Sequence, residues 1–231
     1  MKRGLVAAAC VLVIAVSVAA LRSTSPGLEF AALEEPAGFR KLAGRELAVT
    51  PSGGAFAGLD DRSEMPPANL DHLHAGTGEG VAIAVFGDYA CTVCGPLDER
   101  LQARADRGEI ALTRHSLARL SDASRIGALA ANAAAMQDRP GTLDRRLYRT
   151  RFLPTEGWLR EVAREEGLDP VRLIADMGSK AAQDALVQSE ALARGFGVVA
   201  TPVLVVGRTV VTGAPSDRVL SALIDAEREE E

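Results

Sequence analysis

Aromatic residues make up only 4% of the 231-residue chain, lysine occurs only at Lys2, Lys41 and Lys180, and there are three cysteines. Few aromatics exclude base-stacking platforms and aromatic ligand cages. With 26 Lys+Arg against 31 Asp+Glu and a net charge of −5, there is neither a basic excess nor a basic stripe, which excludes a nucleic-acid-binding surface. Three cysteines cannot build a disulfide scaffold, yet Cys91 and Cys94 stand two residues apart. What is present suits a packed fold. Hydrophobic residues are 47% and charged residues 25%, enough apolar side chain for a real core, and the length fits one domain or one domain plus an extension.

Lys2 and Arg3 precede an uninterrupted apolar or small run from Leu5 to Leu21, followed by Arg22. A basic start before such a run reads as an export signal. The run is at the lower edge of bilayer-spanning length, so a cleaved signal peptide and an uncleaved membrane anchor over residues 1–22 are both open. Ser17 with Ala19, or Val18 with Ala20, offer small-residue cleavage positions, and Cys10 in mid-run reads as apolar filler. Export bears on chemistry, because disulfides persist outside the cytoplasm.

Residues 23–78 are punctuated by Ser25-Pro26-Gly27, Pro36, Pro51-Ser52-Gly53-Gly54, Pro66-Pro67, Gly76 and Gly78. Such clusters mark a linker and N-terminal extension, with short strands at Phe39–Leu42 and Leu47–Thr50. At Val81 the texture changes. Val81–Phe86 is a continuous apolar run, the pattern of a strand buried on both faces. After the cysteines, Leu97, Leu101 and Ala105 recur at four-residue spacing in an amphipathic helix, and Ile110–His115 reads as a second strand. Strand, helix, strand implies a parallel pair. Residues 116–195 then read as helices over Ser121–Gln137, Leu143–Phe152, Glu156–Glu166, Pro170–Met177 and Lys180–Arg194, with Asp169 capping the fourth. Nothing in them supplies a nucleophile or ligand cluster, so they are expected to roof the site and shape substrate binding. Val203–Val206 and Thr209–Thr212, separated by Gly207 and Arg208, predict an antiparallel hairpin. A last helix follows, capped by Ser216 or Asp217, with Val219, Leu220, Leu223 and Ile224 inward.

Cys91-Thr92-Val93-Cys94 stands where a strand gives way to a helix. Free N–H groups and the positive dipole end stabilise an anion there, so the Cys91 thiol should ionise below its ordinary value of about 8.5 while the deeper Cys94 stays a thiol. Cys91 is then the sulfur that attacks or is attacked, and Cys94 resolves the mixed disulfide. The spacing also lets the two sulfurs meet. Asp88, three residues upstream, would oppose the thiolate if close. Two other readings apply to the pair: a zinc site, for which Asp71, His72 and His74 are the only partners in view, and an inert structural disulfide. His72 and His74 otherwise read as solvated loop residues and His115 as a satisfied structural histidine. Thr201-Pro202 opens a strand that proline would normally avoid, and a cis peptide turning the chain beside the cysteines is one reason for it.

The segment Phe86-Gly87-Asp88-Tyr89-Ala90-Cys91-Thr92-Val93-Cys94, the helical block and the Thr-Pro before the hairpin resemble, in order, the DsbA-like thiol:disulfide oxidoreductases over about residues 79–228. The resemblance implies an α/β, thioredoxin-like fold over residues 79–229 with an all-helical insertion at about 116–195, behind the signal or anchor and the extension. It implies Cys91 as nucleophile, Cys94 as resolving thiol, Pro202 as a cis-proline contacting bound peptide, and Thr201 as backbone hydrogen-bonding partner of an extended substrate. Thr92-Val93 stands where the best-known members carry Pro-His, which removes a thiolate-stabilising histidine and implies a weaker oxidant. The Thr-Pro pair looks like that of the disulfide isomerase relatives.

The function expected is therefore exchange of disulfides with cysteine-containing exported proteins, without a bound cofactor or metal. A membrane or thioredoxin-like partner would reset the pair, in the periplasm or another extracytoplasmic space, with anchoring to the inner membrane through residues 5–21 as one arrangement. The rival is a thioredoxin-fold metal chaperone holding copper through the reduced cysteines.

Overall fold

A computed structural model describes residues 27–44, 66–76, 78–150 and 152–230. The basic start, the apolar run with Cys10, the turn cluster at Pro51 and the strand expected at Leu47–Thr50 lie outside the described residues.

The first elements are two short strands, β1 (Phe30–Ala32) and β2 (Arg40–Leu42). After a 3-10 turn at Leu70–His72 come β3 (Val81–Asp88), α1 (Cys94–Ala105) and β4 (Ile110–Leu117). Five helices follow: α2 (Asp122–Ala135), α3 (Asp144–Arg149), α4 (Glu156–Glu165), α5 (Pro170–Met177) and α6 (Lys180–Gly195). The hairpin β5 (Val203–Val206) and β6 (Thr209–Thr212) and the helix α7 (Asp217–Arg228) close the described chain. The caps explain several boundaries. Ser121 forms a capping box with Ser124, Asp169 accepts from the N–H groups of Val171 and Arg172, and Ser216 rather than Asp217 caps α7.

The strands form one sheet in the order β1-β2-β6-β5-β3-β4. β3 runs parallel to β4, with Val81 opposite Ile110 and Phe86 opposite His115, and antiparallel to β5, with Val85 opposite Leu204. The two strand groups read from sequence thus share a sheet across the intervening helices. β3 is buried on both faces, which explains its unbroken apolar run. Ile83 and Val85 pack with Leu97 and Leu101 of α1 and Leu220, Leu223 and Ile224 of α7, while Ala84 and Phe86 face Leu192, Ala193 and Phe196. A further core joins Tyr89 to Ala128, Leu147, Leu159, Val162 and Leu173 of α2 through α5.

The extension takes a larger part in the fold than its punctuated sequence suggests. β2 pairs in parallel with β6, and β1 pairs with β2. Arg40 fixes this edge: its guanidinium donates to Thr209 Oγ1 at 2.7 Å, Glu227 Oε1 at 2.8 Å and Glu230 Oε1 at 2.8 Å, and lies 4.0 Å from the Phe30 ring centre.

Candidate active site

The site is built where β3 ends. Cys91 N–H donates to Asp88 O at 2.9 Å and Cys94 N–H to Cys91 O at 3.3 Å, so the chain makes a turn before α1 begins. Cys94 is the first residue of α1, and Val93 stands at the N-cap without a side-chain cap. Cys91 therefore precedes the first helical turn instead of sitting in it, although it still faces the helix's uncapped amino end. Cys91 and Cys94 form a disulfide with Cα atoms 5.4 Å apart. The pair is asymmetric: Cys94 is 2% exposed, Cys91 is half-buried, and Thr92 and Val93 are exposed.

Thr201–Pro202 is a cis peptide, and Thr201 O lies 3.7 Å from Cys91 Sγ. In the disulfide Cys91 has no proton, so this is a contact; a reduced Cys91 thiol at that position has Thr201 O as its acceptor. Pro202 itself is buried, its carbonyl accepting from Gly213 N–H at 2.8 Å.

Asp88, considered above only as a charge opposing the thiolate, also has a structural part. It is fully buried, and its carboxylate accepts from Ala90 N–H at 2.8 Å, Ser124 Oγ–H at 2.5 Å, Arg119 N–H at 3.0 Å and Leu120 N–H at 3.2 Å. Four donors hold the charge in place and tie the cysteine turn to the β4–α2 loop.

Beneath α1 lies a polar cluster that sequence reading missed. Arg114 Nε donates to Asp98 Oδ1 at 2.7 Å and its Nη2 to Gln102 Oε1 at 2.7 Å, while Tyr89 O–H donates to Asp144 Oδ1 at 2.8 Å. Burial pushes the Asp144 carboxyl up, with the Arg114 charge opposing. Burial, then Asp144, also holds the Tyr89 phenol well above its ordinary range. The only available signal was an Asp at Cys94 plus four, which is buried on the inner face of α1. Beside the cysteine turn a groove of about 290 Å³ is lined by Tyr89, Ala90, Ser121, Leu147, Phe152 and Leu153. Phe152, Leu153 and Leu120 are more than half exposed.

The histidines fall elsewhere. His115 is buried, stacked on Phe86, with Nε2 3.0 Å from Leu73 O. His72 is exposed as expected, but His74 is half-buried, its Nε2 2.9 Å from Gly207 O at the far end of β5. The cause is Leu73, buried at 1% exposure, which draws the segment on either side of it onto the sheet. Among the described residues no cluster of three or more His, Cys, Asp or Glu side chains is arranged to hold a metal ion.

A cysteine pair bonded across the strand-to-helix turn, facing a cis Thr-Pro on a sheet of this order, defines a thioredoxin-like fold for thiol-disulfide exchange. A family model described as "DSBA-like thioredoxin domain" matches residues 94–225, and the chain belongs to that family. The match opens at Cys94, so Cys91 joins the site through its position in the structure. Among solved structures, a thioredoxin-like oxidoreductase from Silicibacter pomeroyi DSS-3 is 29% identical, covers 70% of this chain and 99% of its own, and superposes with a TM-score of 0.62. The thiol-disulfide exchange protein alpha-DsbA2 from Wolbachia pipientis is 19% identical over 75% of this chain and 92% of its own, TM-score 0.58. A periplasmic thioredoxin-like protein from Salmonella enterica serovar Typhimurium is 23% identical over 66% of this chain and 86% of its own, TM-score 0.55. No curated protein matches the chain.

Proposed function

We propose that the protein is an extracytoplasmic thiol:disulfide oxidoreductase of cysteine-containing proteins, in which Cys91 exchanges with substrate and Cys94 resolves the mixed disulfide. The observation that carries this reading is the asymmetry of the pair: Cys91 is the accessible sulfur beside Thr201 O, and Cys94 is 2% exposed. A substrate thiolate attacks Cys91 Sγ, the Cys91–Cys94 bond breaks, and the electron pair passes to Cys94. In the other direction, Cys94 as thiolate attacks Cys91 and expels the substrate thiolate. Thr201 and Pro202 border the path of an extended substrate chain, and the exposed Leu120, Phe152 and Leu153 offer apolar contact to an unfolded one. Residues 79–229 act as the exchange domain, and residues 1–22 deliver it across or to a membrane.

The couple is a moderate oxidant, because Val93 supplies no charge to the Cys91 thiolate and Thr201 O turns a carbonyl dipole towards it. Isomerase and reductase turnover suit such a couple better than forceful oxidation. The test is insulin reduction and refolding of a scrambled disulfide protein, with the parent and Cys91→Ser. Catalysis abolished by the substitution supports the reading. Tight Cu(I) binding by the reduced pair with negligible turnover would overturn it in favour of a metal chaperone.

A further inference from the structure

Two glycines flank the redox pair, and one side chain explains both. A Cβ on Gly87 would lie 2.6 Å from the Tyr148 hydroxyl, and a Cβ on Gly95 would lie 3.1 Å from Tyr148 Cβ. The Tyr148 ring, carried on α3, therefore lies across the start of α1 with its hydroxyl over the end of β3. Cys94 Cβ is 4.0 Å from the same point above Gly87. The phenol hydroxyl and the Cβ that carries the buried sulfur thus border the same point above Gly87.

The neighbouring hydroxyls are engaged. Tyr89 O–H is held by Asp144 and Ser116, and Ser124 O–H by Asp88. Tyr148 O–H has no hydrogen-bond partner among the described residues. Burial, then the carboxylates of Asp98 and Asp144, keeps this phenol protonated well above its ordinary range, with Arg114 opposing. A protonated donor that no acceptor among the described residues engages, on the same side as the buried cysteine, is free to turn to that sulfur when it becomes an acceptor.

We propose that Tyr148 is a catalytic residue of the exchange, its hydroxyl donating a hydrogen bond to Cys94 Sγ as that sulfur receives the electron pair of the broken disulfide. The inference rests on the reading of Cys91–Cys94 as the exchanging pair. The substrate thiolate bonds to Cys91, the Cys91–Cys94 bond opens, and Cys94 leaves as a thiolate. Tyr148 keeps its proton throughout, and the step runs backwards with the same bond breaking. Thiolate is a stronger acceptor than the disulfide sulfur it replaces, so the hydrogen bond favours the opened state.

Tyr148→Phe keeps the ring packed over Gly95 and against Tyr89 and removes only the donor. Opening of the oxidised protein by a small thiol should slow about tenfold, and the Cys94 thiol, titrated by thiolate absorbance in a Cys91→Ser background, should move up by about one pKa unit. The thermal midpoint should stay within about two degrees of the parent. Gly87→Ala, which pushes the hydroxyl aside while leaving the phenol present, should shift both quantities in the same direction, and it serves if the Phe variant fails to fold. Unchanged rate and titration in either folded variant would overturn the proposal, as would a slower rate with an unmoved Cys94 titration. A parent protein that does not exchange with small thiols would overturn the redox reading instead.

Discussion

Cys91 and Asp88 show how far single residues set this site. Cys91 gains from the amino end of α1, but no basic side chain lies inside the motif. Its thiol should titrate below about 8.5, yet well above the value of about 3.5 reached by the strongest oxidants of this chemistry. Val93 is half exposed at the N-cap, so a histidine there is accommodated without repacking. Val93→His should lower the Cys91 thiol pKa and make the couple more oxidising, each 30 mV corresponding to about 1.4 kcal/mol. Thiolate absorbance against pH, paired with glutathione equilibration, measures both; identical parent and variant curves would show that a group outside the motif governs the thiolate. Asp88 acts on the same turn through geometry. Asp88→Asn turns an N–H₂ towards backbone N–H groups that now donate to it, leaving buried donors unmet. Urea unfolding should register a loss of about 2–3 kcal/mol, and a loss under 0.5 kcal/mol would mean the four bonds seen here do not hold the turn.

At the level of elements, the legible parts were those whose pattern is local. β3, β5, β6 and the helix caps at Asp169 and Ser216 follow from apolar runs, a two-residue turn and capping residues within a few positions. The cysteine pair was legible because its spacing is itself the signal. β1 was missed because Phe30–Ala32 carries no periodicity; it is a strand only because β2 offers it an edge. Tyr148, Asp98 and Asp144 were hidden for the same reason, since they reach the site through tertiary packing between α1 and α3. The segment around His74 was misread because a single buried leucine outweighs a run of polar neighbours. The histidine of β4 that meets the Leu73 carbonyl, His115, makes a pH prediction. Burial, then the charges of His74 and His72, lowers His115 to about 4, with the Leu73 carbonyl opposing; Ser189 Oγ and the Phe86 ring complete its surroundings. The unfolded chain takes up this proton near pH 6.5 and the folded one only near 4, so stability is full above about 6.5 and falls as pH drops towards 4. The loss attributable to His115 is at most about 3 kcal/mol. His115→Gln should be less stable at neutral pH and lose stability less steeply between pH 6.5 and 4. Parallel pH profiles for the two proteins would assign the acid sensitivity to other groups.

Across the whole molecule, the edge of the sheet and the helical block are both more deeply built in than a linker and a roof would be. Arg40 joins the extension to β6 and α7, and Glu227, 6% exposed, depends on it for its counter-charge. Arg40→Ala should cost about 2–3 kcal/mol, and Arg40→Lys should recover little, because an ammonium gathers its donors at one point whereas Nε, Nη1 and Nη2 reach Thr209, Glu230 and Glu227 from three sides of a planar fork. The helical block bears more directly on function. α6 supplies Leu192 and Ala193 to one face of the sheet, Ser124 holds Asp88, and Tyr148 of α3 covers Gly95. Replacing residues 118–197 by a short linker would uncover Phe86, Leu117 and Val203, each at most 3% exposed, and remove a donor from beneath the cysteine turn. At about 1.5–3 kcal/mol per large apolar side chain returned to water, those three alone cost about 5–9 kcal/mol, comparable with the whole stability of a small domain. The helices expected to roof the site are therefore also part of what holds the sheet and the cysteine turn together. The shortened protein should lose its cooperative thermal transition and bind a hydrophobic dye, and small-dithiol exchange should disappear with the fold. A shortened protein that melts cooperatively and still exchanges with a small dithiol would show that the sheet and the cysteine turn stand without the helices.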